Sequence, residues 1–123
     1  IVDVEFTAQL EEKLDAIEEV IYLSEFHTSK GHFEQVVELD SKFHKLIYSA
    51  CGSKILEHEL SVFHHYVERV RKITLSMEER AKRSTAEHTA ILNAIRSRDK
   101  DLAEKLAHEH IIRTIENIEK LGL

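Results

Sequence analysis

At 123 residues the chain is one domain, long enough to bury a hydrophobic core without disulfides or other staples. Its 42% hydrophobic and 33% charged residues are the proportions of a well-solvated globular protein. The formal net charge of −6 excludes a segment that grips nucleic acid by itself, because phosphate contact needs a basic face.

Two features of the composition are unusual. There is no proline and there are three glycines, so little interrupts a helix, and there are nine histidines. The single Cys51 can form no internal disulfide, which together with the absence of a signal peptide points to a reducing, cytoplasmic setting. The opening IVDVEFTAQLEEKLD turns acidic at once, and no apolar run approaches membrane-spanning length. Because it opens within a helical pattern, the chain reads as a single domain, residues 1–123, excised from a larger protein.

Apolar residues recur at helical period throughout. A first helix is expected from about Phe6 to Thr28, with Leu10, Leu14, Ile17 and Ile21 inside, Phe26 as a further candidate, and Gly31 ending it. A second runs from about Phe33 to Ala50, carrying Phe33, Val36, Val37, Phe43, Ile47 and Ala50, with Gly52 as its cap. Ser53 starts a third, to about Leu75, with Leu56, Leu60, Phe63, Val67 and Val70 inside. Ser76 with Glu79 is a capping-box pattern predicting a short helix or turn; Ser84 with Glu87 repeats it and opens a helix to about Arg98. Asp99 caps the last helix, which ends near Lys120 before Gly122. Short connections favour antiparallel neighbours, so the expected fold is all-α, an antiparallel bundle of about six helices.

Polar residues stand where this core should be apolar. On the second helix Asp40 and His44 interrupt the stripe Phe33, Val36/Val37, Phe43, Ile47; four residues apart, they lie one turn apart on one face. His88 heads the inward row Ile91/Leu92, Ile95, and His110 takes a core slot in Leu102/Ala103, Leu106/Ala107, Thr114, Ile118. A buried carboxylate needs compensation. Taken singly, Asp40 and His44 are better read as a buried ion pair, and His88 and His110 as core histidines bonded to carbonyls. Taken together, on the inward faces of three helices, the four favour a metal site. One Asp and three His suit Zn²⁺, first among the choices, or Ni²⁺, Mn²⁺ or Fe²⁺, and leave open positions for water or a small carboxylate.

The remaining histidines are expected at the surface: His27 and His32 beside the Gly31 turn, His58 in a charged stretch, and His108 facing away from His110. Of the adjacent His64 and His65, His64 is the pocket candidate. Among Arg69, Arg71 and Lys72 the arginines are candidate clamps for an organic acid, Arg71 before Arg69, against the plainer reading of a solvated helix face.

The segments LDSKFHKLIYSACGSKIL and EHTAILNAIRSRDKDLAEKLAHEH resemble the two hallmarks of the FCD domain, the C-terminal ligand-binding domain of the FadR subfamily of GntR regulators. The resemblance spans about Leu10 to Glu119. It implies metal ligands at Asp40, His44, His88 and His110, the four residues the stripes single out. Two departures stand out: Ser53 where the family often has Asn, and a poor match before about Gln9. The winged-helix DNA-binding domain that precedes this domain in the family lies outside the chain.

What the resemblance implies is a sensor: a homodimer in which a small organic acid reaches the metal and alters operator binding through the N-terminal domains, with no membrane partner. Two other readings rank below it, a metal-stapled dimerisation module without effector and, last, a metal-dependent hydrolase. The hydrolase lacks a dedicated acid beside the four ligands, since Glu87 adjoins His88 but is expected on a different side of its helix.

Overall fold

With no proline to stop them, the helices run until a local cap does. The computed structural model describes residues 4–50, 54–75 and 77–122. They form five helices: α1 Val4–Lys30, α2 Phe33–Ala50, α3 Lys54–Thr74, α4 Glu78–Arg96 and α5 Lys100–Lys120. Among the described residues there is no strand, and no helix is long and apolar enough to cross a membrane.

Gly31 ends α1 in the left-handed region, at φ +73°. Its N–H donates to the Thr28 carbonyl (3.2 Å) and that of His32 to the His27 carbonyl (2.9 Å), which closes the last turn and reverses the chain. A Cβ at Gly31 would meet nothing within 4 Å, so the cost of Gly31→Ala lies in the backbone alone. That substitution is expected to lower stability by about 1 kcal/mol in denaturant unfolding. The Arg98 turn closes α4 in the same way, and Asp99 then accepts from the Leu102 N–H at 3.1 Å, the cap expected for α5.

Among the described residues the bundle of about six helices has five. Ser84 opens nothing: α4 runs unbroken through it, with Ser84 and Thr85 buried inside. Thr85 Oγ1 donates to the Ala81 carbonyl one turn back (3.1 Å), the mid-helix alternative that makes a capping pattern ambiguous. The α4 N-cap is Met77, which makes no side-chain cap bond; Glu78 and Glu79 complement the helix dipole instead. Gly52, Ser53 and Ser76 lie outside the described residues, as do the side chains of Leu56, Leu60, Phe63, Val67 and Val70.

Helix α1 is the spine. Leu14, Ile17, Val20 and Ile21 are buried on one face and meet Phe43 of α2 and Leu92 of α4; Leu10, Leu39, Leu46, Ile47 and Ile95 pack around them. Phe26 is 48% exposed, because the inward row of α1 continues through Ser24 and Thr28. Leu102 is likewise exposed. Arg96 binds Asp15 and Glu18 at 2.8 and 2.9 Å, and Arg98 binds Glu11 at 2.7 Å, tying the end of α4 to α1. Helix α2 contacts α1 and α3, and α4 contacts α1 and α5. The inward faces of α2, α4 and α5 thereby converge beyond the apolar core.

Candidate metal centre

At that convergence the structure brings together the residues that interrupt the apolar stripes. Asp40 and His44 project from α2, His88 from α4 and His110 from α5, all buried. His44, His88 and His110 each offer one ring nitrogen, and the three nitrogens lie within 4.8 Å of one another. Phe43 explains how His88 is held: the two rings stack face to face, centroids 3.7 Å apart and 8° from parallel.

Hydrogen bonds to the outer ring nitrogens fix which atoms face inward. His44 Nδ1 donates to the Asp40 carbonyl at 2.7 Å, leaving Nε2 with the lone pair. His110 Nδ1 donates to Glu87 Oε1 at 2.6 Å, again leaving Nε2. His88 Nε2 stands 3.3 Å from His110 Nε2. Two nitrogens each about 2.05 Å from a tetrahedral ion would be about 3.3 Å apart, so this edge already has metal-ligand dimensions. The plainer reading of His44 was an ion pair with Asp40; its Nδ1 bonds the Asp40 carbonyl instead, a contact of the kind that orients ligand histidines.

Asp40 is compensated by Arg71. Arg71 Nη1 lies 2.9 Å from Asp40 Oδ2 and 3.2 Å from Oδ1, with both side chains largely buried. The carboxylate is farther from the imidazoles: Oδ2 is 3.7 Å from His44 Nδ1 and Oδ1 is 3.8 Å from His88 Nε2.

Burial pushes the His44 pKa down to about 4, against the opposing charge of Asp40 and with Arg71 adding to the fall. Burial, then the neighbouring His44 and His110 and the two arginines, pushes His88 well below its ordinary value. Both are therefore neutral near pH 7, the form that ligates metal. Above pH 6.5 neither the folded nor the unfolded His44 is charged; below it the unfolded state takes up a proton that the folded state refuses. Stability is expected to fall as pH drops from about 6.5 to about 4, by about 3 kcal/mol from His44 alone, in chelator-treated protein unfolded by denaturant.

Beside the cluster lies His64, 1% exposed, whose Nε2 is 3.2 Å from Ser41 Oγ and whose ring is 5.5 Å from that of His44. Burial, followed by the charge of Arg71, lowers its pKa. Its Nδ1 and Arg71 Nε have no hydrogen-bond partner among the described residues. Tyr48 meets the His64 ring edge-on at 6.0 Å and the His44 ring at a tilt at 6.3 Å, measured between ring centroids. Arg69 does not join this group: it is exposed on α3. His32, His58, His65 and His108 are exposed and His27 half-buried, with His27 and His32 Nδ1 atoms 3.0 Å apart at the Gly31 turn.

The residue that sequence reasoning missed is Glu87. Expected on a different side of its helix from His88, it reaches the cluster through the outer nitrogen of His110. Arg80 holds its carboxylate with two contacts of 3.2 Å and also donates to Thr114 Oγ1 at 3.2 Å. Desolvation pushes the Glu87 carboxyl up, but the hydrogen bonds from His110 and Arg80 and the charge of Arg80 outweigh it and hold it below the usual range. Arg80 and Glu87, opposite charges two turns apart on α4, were the available signal. It was hidden because Glu87 serves a ring on another helix.

The donor set fits a divalent ion. It comprises three imidazoles aimed at one point, a carboxylate within reach, and a carboxylate behind one imidazole as metal sites require. Fold and site together define a helical bundle with a buried polyhistidine centre. Residues 7–113 match the FCD domain family, and the chain belongs to it. It is 29% identical over 91 residues to a protein of Paraburkholderia xenovorans called an uncharacterized HTH-type transcriptional regulator, BphR; the match covers 74% of this chain and 37% of that protein. The chain thus spans little more than a third of the length of that relative. No solved structure matches it.

Proposed function

We propose that this domain senses a small organic acid through a divalent ion, Zn²⁺ first and Ni²⁺, Mn²⁺ or Fe²⁺ as alternatives, held by His44, His88, His110 and Asp40. The observation that carries the reading is the convergence of three buried imidazoles from three helices on one point. Three neutral imidazoles and one aspartate leave such an ion with net positive charge, which favours an anionic oxygen in an open position. Arg71 and His64 border that position and are the proposed contacts to the acid, each with a buried nitrogen still without a partner among the described residues. Arg69, being exposed, drops out.

In the full-length protein, proposed as a cytoplasmic GntR/FadR-type homodimer, an acid that prefers one arrangement of α2, α4 and α5 would shift operator binding by the winged helices. The test is metal content of the purified chain, wild type against His88→Ala and His110→Ala, followed by thermal shifts with a panel of small carboxylic acids. About one ion per chain, lost in both variants, with metal-dependent stabilisation by one acid, is the expected result. A chain that stays metal-free after reconstitution would sink the reading.

A second reading, a metal-stapled dimerisation module without effector, draws on α5, where Leu102, Ile111, Ile112 and Ile115 are exposed. It predicts that chelation dissociates the dimer in analytical ultracentrifugation and that no acid shifts the melting temperature.

A further inference from the structure

We propose that Arg71 is a placeholder for the metal: its guanidinium neutralises Asp40 in the ion-free chain and must release it before Asp40 can coordinate. The inference rests on the metal-site reading above and adds a competition internal to the site.

Three observations carry it. The three imidazole nitrogens lie within 4.8 Å of one another, whereas Asp40 is engaged by Arg71 at 2.9 and 3.2 Å. The carboxylate therefore spends lone pairs on Arg71, and an ion bound at the imidazoles would compete for them. Second, Asp40 is buried at 4% side-chain exposure and Arg71 nearly so at 12%, so the carboxylate has little access to water if the guanidinium leaves. Some cation must always face Asp40, and the site offers two: the guanidinium or a divalent ion. Third, the grip is not the strongest available. A single nitrogen, Nη1, serves both Asp40 oxygens, in place of the two-nitrogen fork that gives arginine–carboxylate pairs their strength, and Nε has no partner among the described residues. Such a contact can be exchanged.

The competition has a measurable sign. Removing Arg71 lowers the stability of the ion-free chain and raises its metal affinity, opposite to the effect of removing a ligand or a residue that orients one. The experiment is Zn²⁺ titration of chelator-stripped protein against a chromophoric chelator, for wild type, Arg71→Met, Asp40→Asn and the double variant, with thermal unfolding of each ion-free form. Arg71→Met is expected to unfold at a lower temperature without Zn²⁺ and to bind Zn²⁺ at least tenfold more tightly. In the Asp40→Asn background the same change is expected to raise affinity less than threefold, because there is no carboxylate left to contest.

Equal or weaker Zn²⁺ binding by Arg71→Met overturns the proposal while leaving the metal site standing. A tenfold gain that persists in the Asp40→Asn background also overturns it, since that gain would be plain charge repulsion. No Zn²⁺ binding by the wild type removes the metal site and the placeholder together. Should Arg71→Met fail to fold, Arg71→Lys keeps the charge with a looser hold on Asp40 and is expected to give an intermediate gain, absence of which counts against the proposal.

Discussion

Glu87→Ala is expected to cost about 3 kcal/mol of stability and to weaken divalent-metal binding by roughly 10–100-fold. The first effect comes from Arg80, about 10% exposed, which would lose two carboxylate contacts and keep the one to Thr114. Breaking a buried ion pair from one side leaves an uncompensated charge, and the surviving hydroxyl contact places the cost near the lower end of the usual range. The second effect comes from His110, whose Nδ1 proton and ring orientation are set by the 2.6 Å contact to Glu87. Without it the ring can rotate and turn the wrong nitrogen inward. Chemical denaturation and competitive Zn²⁺ titration measure the two effects separately. Glu87→Gln, which keeps an acceptor but not the charge, is expected to fall between. Loss of stability with metal affinity unchanged within twofold would make Glu87 a partner of arginines alone, Arg80 and, at 3.6 Å, Arg113.

Zn²⁺ at 1,000 times its dissociation constant is expected to stabilise the chain by about 4 kcal/mol, because only the folded state gathers three imidazoles from three helices. For a domain of this size that is a rise of roughly 10–20 °C in melting temperature. A chelator should reverse it, and His110→Ala should show almost none of it. The pH dependence of the ion-free chain sharpens the comparison: burial keeps His44 from protonating down to about pH 4, so acid weakens the fold by charging the unfolded chain. Equal melting temperatures with and without Zn²⁺, at a concentration where titration shows the ion bound, would mean the unfolded chain binds it as well.

Much of the site was legible because it breaks a pattern. Asp40 and His44 sit where α2 should be apolar, and His88 and His110 do the same on α4 and α5; such exceptions are visible wherever helical period is clear. Their partners were less so. Asp40 is matched by Arg71, 31 residues away, and His110 by Glu87, 23 residues away. A side chain's own helix face says which way it points, not what another helix brings to meet it. Ser84 failed as a helix start for a related reason: it is buried inside α4, where the neighbouring Thr85 hydroxyl bonds within its own helix, and the sequence pattern for such mid-helix hydroxyls and for a cap is the same.

From the sequence by itself came the helical class, the stop at Gly31, the cap at Asp99 and the four residues of the proposed ligand set. Each is written in local chemistry: period, a residue without Cβ, a carboxylate one turn before a free N–H. Only the tertiary structure decided that three imidazoles share one point, that Arg71 holds Asp40, that Glu87 stands behind His110, and that Arg69 and Phe26 face solvent. Those facts depend on how far each helix is rotated and slid against its neighbours. That is set by the packing of Leu14, Ile17, Phe43 and Leu92 all at once, and no short stretch of sequence contains it.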